Sequence, residues 1–444
     1  MDYKDLVKLS VKDLEERENG GYPFARSTIE FAVAGDTVLV EDQLRSGSYF
    51  VLDSLIQLGS LVMDTRALSA HLRLHEGEPY NEEKLKKMDS RLKRLPFVKV
   101  IRPSQVIFSR DRYRLLLAIE KRKANSANGI IGFLPDAAGK VRTTGEIDLL
   151  LNNALNKADR MSLKWRRIQD GSQSLDLAIG YPYLFGSPLG INGSINQFRQ
   201  DSTFNQIQIE GGLSLLLENG DVISAELERR DFNNLLSETF SLANANSSSL
   251  LYGARYLHNT LDDPFNPYEG MDLKTRLAYG SKSLVTSSED MGSDEQTLDT
   301  WEVTLDVKQF FPLGGRSTLL IRANAFHQES DLILFKELQR IGGLFTLRGI
   351  DELSIRASTF GIFTAEYRFL TDERAYISAF TDVAYHSSDV GGALQEDTPY
   401  GVGLGTAFDT GGGVFTLSYA LGSQFGSPLS FRTGKVHFGF IALF

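Results

Sequence analysis

Three side chains in this sequence have the type and spacing to act together chemically: Arg348, Glu366 and Asp382. Two carboxylates near one guanidinium could support general acid/base catalysis, or could clamp the cation in charge-assisted hydrogen bonds. Catalysis would need company that the sequence lacks. No Ser/His/Asp grouping, nucleotide-binding loop or substrate-positioning cluster accompanies them, so no enzymatic activity is expected. The absence of Cys removes thiolate zinc sites, iron–sulfur clusters, cysteine nucleophiles and disulfides together. The six His (His71, His75, His258, His327, His386, His437) show no HExxH or other ligand spacing. Neither a metal nor a cofactor is expected.

The elements that must position the three groups follow from parity. Arg348 lies in Gly342-Gly343-Leu344-Phe345-Thr346-Leu347-Arg348-Gly349-Ile350, a glycine-flanked and largely apolar loop. Such a loop is out of place at a solvent-exposed tip and is expected to fold inward. In Gly361–Leu370 the aromatic set Phe363, Tyr367 and Phe369 points one way, so Glu366 points the other. In Tyr376–Tyr385, Ile377, Ala379, Val383 and Tyr385 share one face, which leaves Phe380 and Asp382 on the opposite one. The functional reading is a loop pinned against a wall; the blander reading is an ordinary lumenal salt bridge.

Those strands belong to a long run of alternation. Met161, Leu163 and Trp165 interleave with Ser162, Lys164 and Arg166, and Phe415, Leu417, Tyr419 and Leu421 with Thr416, Ser418 and Ala420. One apolar and one polar face per strand fits a soluble sandwich, or a barrel with lipid outside and water inside. Three observations favour the barrel. Residues 125–444 run without a helical interruption, enough for roughly 16 strands at about 20 residues per strand and connection. Tight connections such as Glu218-Asn219-Gly220-Asp221 contrast with polar stretches, Ser281–Asp299 and His386–Thr398, expected to be long outer loops. Finally, the chain ends on a strand whose Val436, Phe438, Phe440, Ala442 and Phe444 form one apolar face opposite Lys435, His437 and Gly439. That face reads as lipid-facing.

Composition agrees. Lys+Arg 47 against Asp+Glu 57 leaves a net charge of −10, contrary to the basic surface that nucleic acid requires. No stretch approaches the roughly 20 apolar residues of a spanning helix, and Met1–Asp13 has no charged-then-apolar export pattern. Transmembrane strands escape that test because lumenal polar residues dilute their hydropathy.

Ahead of Lys121–Asn128 the patterns change. A helix capped by Asn81 is expected to run to Leu95, ended by Pro96, with Leu85, Met88, Leu92 and Leu95 on one face. With strands at Tyr49–Gln57, Val98–Arg102 and Tyr113–Glu120 and a short helix near Thr65–Leu74, the order is β-α-α-β-β. Upstream, Tyr3–Glu18 reads as a helix stopped by Gly20-Gly21, and Ser27–Val33 pairs with Thr37–Asp42.

At these residues the chain resembles the BamA/TamA and two-partner-secretion superfamily, in which periplasmic POTRA modules precede a 16-stranded outer-membrane barrel. Gly77-Glu78-Pro79-Tyr80 and Leu95-Pro96-Phe97-Val98-Lys99-Val100 occupy the places of the module's Gly-x-x-Tyr turn and its link into the second strand. Leu347-Arg348-Gly349-Ile350 looks like the inward-loop motif Val-Arg-Gly-Tyr/Phe, and Phe380-Thr381-Asp382-Val383-Ala384 like the strand motif Phe-x-Asp-x-Gly. Ile350 and Ala384 depart from the pattern, so different loop packing is expected.

The resemblance implies a membrane β-barrel of about 16 antiparallel strands over residues 125–444, preceded by α+β POTRA domains. Residues 47–124 would be a complete module and 1–46 a partial one. It implies that Arg348 contacts Asp382 and Glu366, and that the first and last strands, near Asn128–Pro135 and Val436–Phe444, meet at a weak seam. The implied role is an insertase or translocase of unfolded outer-membrane or secreted polypeptide, in the outer membrane of a Gram-negative bacterium with the POTRA domains in the periplasm. Accessory periplasmic proteins or lipoproteins are implied partners beside the lipid bilayer. A dedicated two-partner-secretion transporter and a passive porin or structural anchor remain alternatives.

Overall fold

The computed structural model describes every residue except 1–2, 36, 136–140, 168–171, 201–202, 236–244, 264, 288–292, 391–392, 411–412 and 444. The chain divides into two compact units. The first comprises residues 1–123, 153–158 and 183–188, and the second comprises 124–152, 159–182 and 189–444.

In the first unit, helix Tyr3–Asn19 ends where the amides of Gly20 and Tyr22 both return to the Arg17 carbonyl, and Gly21 takes φ +104°. A hairpin of Arg26–Ala34 and Thr37–Arg45 follows. The next sheet sets Val51–Leu58 parallel to Arg112–Lys121, which also pairs antiparallel with Val98–Val100 and Gln105–Ser109. Strand Gln105–Ser109 was hidden in the sequence because Val106, Ile107 and Phe108 place apolar side chains on both faces, with Ile107 left exposed. Asn81 does cap a helix, its side chain accepting from Lys84 N at 2.8 Å. The single helix expected through Leu95 is instead two, Glu82–Lys86 and Met88–Lys93, divided at Lys87 (φ −87°, ψ −8°). There the Lys87 carbonyl accepts from both Ser90 Oγ at 2.7 Å and Arg91 N at 3.0 Å. Leu52, Leu68, Leu72, Leu92, Leu115 and Leu117 form the dry interior. His71 is buried there, one ring nitrogen 2.5 Å from Tyr183 Oη and the other 2.8 Å from the Arg91 carbonyl; burial pushes its pKa down to about 4.

The second unit is an antiparallel barrel of 16 strands among the described residues. They are β1 (Ser126–Pro135), β2 (Val141–Asn152), β3 (Arg160–Arg167), β4 (Gln173–Tyr181), β5 (Leu189–Gln200) and β6 (Phe204–Leu216). Next come β7 (Val222–Asn234), β8 (Asn246–Asn259), β9 (Gly270–Ser287), β10 (Ser293–Gly314) and β11 (Ser317–Ser330). The circuit ends with β12 (Thr359–Asp372), β13 (Ala375–Val390), β14 (Ala393–Asp397 continued by Tyr400–Asp409), β15 (Val414–Ser423) and β16 (Lys435–Leu443). Each pairs with its sequence neighbour, and β16 meets β1.

Alternation explains the closure. Along β7, Ser224, Glu226, Glu228, Arg230 and Phe232 are buried in the lumen while Ile223 and Leu227 are exposed on the outside. Charged residues inside and aliphatic ones outside invert a soluble sandwich, whose dry core lies between sheets. One expectation fails: Ser281–Asp299 and His386–Thr398 are mostly strand, with Ser281 opposite Asp299 and His386 opposite Asp397. Hairpins that run past the apolar band need no apolar face, so their polarity resembled that of loops.

Candidate functional site

The connection from β11 to β12, residues 331–358, supplies the site. It descends through a short 3₁₀ turn, Phe335–Glu337, and a two-stranded neck, Gln339–Ile341 against Ile355–Ala357. The turn is fixed to the wall by Glu337, which takes Lys282 Nζ at 3.0 Å and Ser247 Oγ at 2.7 Å. Gly342 and Gly343, at φ +118° and +93°, reverse the chain at positions where other residues would be strained. The Leu347 carbonyl then accepts from Gly343 N at 3.0 Å, and Gly342 N donates to Thr346 Oγ1 at 2.8 Å.

Arg348 projects from this tip onto β12 and β13. Its Nε and backbone N–H both donate to Asp382 Oδ2, at 2.8 and 3.1 Å, and Nη2 donates to Asp382 Oδ1 at 2.7 Å. Nη1 donates to Glu366 Oε2 at 2.6 Å. The guanidinium carbon lies 3.4 Å from the centre of the Phe380 ring, so cation–π attraction adds to the ion pairs. Asp382 and Glu366 are 0% and 3% exposed, and each has a further partner: Thr364 Oγ1 at 2.8 Å for the former, Arg368 Nε at 2.7 Å for the latter. Buried charges persist only when paired and hydrogen-bonded in this way. The structure thus brings together Arg348, Glu366, Asp382 and Phe380, the last two on the lumenal face of β13.

Gly349 (φ +90°) takes part through its backbone. A Cβ there would stand 2.8 Å from Gly422 N. A Cβ on Gly401 would meet the Arg348 carbonyl at 1.9 Å, and one on Gly422 the Gly349 carbonyl at 2.2 Å. Gly403 is equally constrained, since its Cβ would lie 2.5 Å from the Phe380 ring. The tip therefore lies in a track of glycines on β14 and β15. Sequence reasoning missed this track, although the spacing of Gly401, Gly403 and Gly405 placed three glycines on one face of a strand.

Ile350 and Ala384, the two departures from the family motif, share one apolar cluster with Phe326, Ile341, Leu347, Ile355, Phe360 and Ile362. The branched chain and the added methyl fill the same dry pocket between loop and wall.

Across the lumen a second constellation also went unforeseen. Glu210 (β6), Glu226, Glu228 and Arg230 (β7), Arg255 (β8), Arg276 (β9) and Glu302 (β10) form a continuous network. Arg230 reaches Glu302 at 2.7 Å and Glu228 at 2.5 Å; Arg276 reaches Glu228 at 2.6 Å and Glu226 at 3.2 Å; Arg255 lies 3.0 Å from Glu226 and 3.3 Å from Glu210. The network borders a cavity of about 570 Å³. Its signal was Glu226-x-Glu228-x-Arg230, three charges on one strand face, which need mutual neutralisation if that face is enclosed.

The seam residues divide. Phe438 is exposed on the outer face, and Phe440 is half-buried with its ring 4.4 Å from that of Phe415. Phe444 lies outside the described residues. On the inner face, Lys435 Nζ is 2.6 Å from Asp351 of the loop, and Gly349 N donates to His437 Nε2 at 3.5 Å. Among the described residues the barrel closes through Ala442 opposite Ala127 and Leu443 opposite Ser126, whereas β16 pairs with β15 from Lys435 to Ile441. No metal-binding cluster of His, Asp and Glu occurs among the described residues.

Residues 153–440 match the Omp85 superfamily domain. The chain belongs to the Omp85 superfamily. Among solved structures it is similar to BamA from Haemophilus ducreyi lacking POTRA domains 1–3, at 15% identity and TM-score 0.55, covering all of this chain and 94% of that one. It is also similar to CdiB from Acinetobacter baumannii (14% identity, TM-score 0.63, all of this chain and 82% of that) and CdiB from Escherichia coli (16%, 0.63, all and 85%). At such identities the likeness shows the fold. No curated protein matches the sequence. The protein is an outer-membrane β-barrel of the Omp85 superfamily, and that membership supports a general role in outer-membrane protein insertion or secretion transport.

Proposed function

We propose that this Omp85 protein is an outer-membrane insertase or translocase that takes unfolded polypeptide and assembles or exports it through the barrel or its seam. The observation that carries the reading is the closure of β16 on β1 through two residue pairs at one end, which leaves Lys435–Ile441 unpaired toward β1 among the described residues. An unsatisfied strand edge is a template for an incoming strand, and main-chain hydrogen bonds made there read little side-chain sequence. Clamping of Arg348 by Asp382 and Glu366 holds the loop against the wall beside that seam while the edge stays free.

Residues 47–124 are read as a complete POTRA module and 1–46 as a partial one, placed in the periplasm. What supports this is the mixed sheet with helices between its first two strands. The second edge of strand Val51–Leu58 is bridged at Val51 and Leu52 by residues 77–79, and beyond them no strand pairs with it among the described residues, which offers a second edge for clients. Client folding and lipid burial supply the driving force, so the cycle needs no nucleotide.

Because the chain has no native Cys, Ala127→Cys/Ala442→Cys places the only thiols on facing residues of the seam. Proteoliposomes carrying the protein should speed the folding of a small, urea-denatured outer-membrane barrel, read by its heat-modifiable gel mobility. Oxidation of the double variant should abolish the acceleration and reductant should restore it. Undiminished acceleration by the locked seam would overturn the reading. A large, steady conductance in planar bilayers without folding activity would mark a passive pore, and export of one dedicated exoprotein in place of barrel assembly would mark a secretion transporter.

A further inference from the structure

The neck of the inward loop carries a charge arrangement that the Arg348 clamp does not explain. Arg340 and Arg356 are directly opposite residues of the two neck strands. Like charges in that position destabilise a strand pair, and both side chains are half-buried. Neither guanidinium has a carboxylate within ion-pair distance among the described residues. The nearby acids are committed elsewhere: Glu337 to Lys282 and Ser247, and Glu352 to Arg166 at 3.7 Å. Both arginines instead converge on one neutral atom, Gln200 Oε1, Arg340 Nη2 at 2.8 Å and Arg356 Nη2 at 3.0 Å.

That oxygen has two lone pairs and both are taken. Of the five N–H donors on each guanidinium, Arg340 places one and Arg356 two on protein acceptors among the described residues, Arg356 Nη1 reaching the Phe335 carbonyl at 3.4 Å. Aromatic rings hold the two planes in place: Arg340 lies 4.2 Å from the centre of Phe198 and Arg356 4.3 Å from that of Phe335. A cavity of about 230 Å³ opens beside Arg340, lined also by Phe198, Gln206 and Ser174. Gln200 is the last residue of β5, so the pair sits at the rim of the lumen, and the inward parity of Gln200 turns it away from lipid.

We propose that Arg340, Arg356 and Gln200 form a binding site for a water-borne oxyanion, a phosphate or carboxylate group, which ties the neck of the inward loop to the rim of β5. Two guanidinium forks side by side match the paired oxygens of either group, and the anion removes the repulsion between them. The site is independent of whether the seam opens.

The test is calorimetric titration of the full-length protein in detergent with inorganic phosphate and, separately, acetate, at constant ionic strength balanced by chloride. Saturable binding of phosphate alone supports the proposal and assigns a phosphate group; binding of both supports it with a general oxyanion. In Arg340→Gln/Arg356→Gln the affinity should fall about tenfold or more, the effect of losing charged hydrogen bonds. Arg374→Gln/Arg432→Gln, which removes the same charge elsewhere, should leave it unchanged. A spin label on Ser354→Cys should become less mobile when phosphate is added. Heat-modifiable mobility checks that each variant is folded. Absence of saturable binding by the wild-type protein to either anion, or unchanged affinity in a folded Arg340→Gln/Arg356→Gln protein, overturns the proposal; the first outcome decides even if the variant does not fold.

Discussion

The wall formed by β6–β10 and the sector formed by β12–β16 with β1 solve the same problem, a charged interior, in opposite ways. In the wall the charged network runs within β7 and between strands β6 to β10, so most of its ion pairs reinforce backbone pairing already continuous from Val222 to Phe232, while Lys282 of β9 reaches out to Glu337 of the loop. In the other sector Asp382 of β13 takes its cation from a loop and Glu366 of β12 binds both that cation and Arg368 of its own strand, the glycines of β14 and β15 accommodate the loop, and β16 closes on β1 through two pairs among the described residues. Strand-to-strand pairing makes a fixed surface; loop-to-strand pairing makes one whose stability depends on a single inserted segment. The difference assigns rigidity to one side of the barrel and the capacity to change to the other.

Removing the guanidinium should break this contrast most severely. Arg348→Ala leaves Asp382 and Glu366 buried without their shared cation, a loss of about 3–5 kcal/mol for a buried pair, although Arg368 still holds Glu366. The barrel should still fold while the loop tip leaves its pocket. A thiol placed at the buried position Ile350→Cys should then be modified much faster, and client folding in proteoliposomes should collapse. Wild-type activity in this variant would refute a working role for the clamp. On the wall, Glu302→Ala strips Arg230 and Arg276 of one carboxylate each and should cost about 3 kcal/mol in denaturant unfolding. Its effect should stop there. Thiol reactivity at Ile350→Cys and disulfide formation between Ala127→Cys and Ala442→Cys should match the parent, and a change in either would show that the two sides are not separate.

A third variant reaches the loop without touching any charge. Gly401→Ala forces a methyl to within 1.9 Å of the Arg348 carbonyl, an overpacking cost of about 1–3 kcal/mol. It should reproduce the faster Ile350→Cys labelling of Arg348→Ala at smaller amplitude. If labelling stays slow, the glycine track is not what admits the loop.

Much of this arrangement was legible because strand parity is a local property. The aromatic faces of β12 and β13 placed Glu366, Phe380 and Asp382 inward, and the glycine-flanked apolar segment marked Arg348 as inserted. What parity cannot supply is which strands become neighbours across the lumen. Glu302 is 72 residues from Arg230, and nothing local joins them. The same limit hid the glycine track, since the requirement at Gly401 and Gly422 comes from a backbone segment 50 or more residues upstream rather than from a turn of their own. Hydropathy misled where the hairpins extend past the lipid: Ser281–Asp299 looks like a loop because it is rich in Ser, Thr, Asp and Glu, while its backbone pairing continues as far as Ser287 opposite Ser293.

The smallest expected effect is the most informative about coupling between loop and seam. Lys435 of β16 pairs with Asp351 of the loop at 2.6 Å, but both side chains are substantially exposed, so Lys435→Ala should cost about 0.2–1 kcal/mol in denaturant unfolding. If loop and seam are mechanically independent, the rate of disulfide formation between Ala127→Cys and Ala442→Cys should change no more than that energy allows, about fivefold at most. A larger change would mean that Asp351 biases two arrangements of β16 rather than stabilising one, because a contact shifts an equilibrium only by the difference it makes between the states. Salt separates the cases. Raising ionic strength screens an exposed pair and should reproduce the effect of Lys435→Ala on the seam while leaving Ile350→Cys labelling slow, since the buried Arg348 pairs are screened far less.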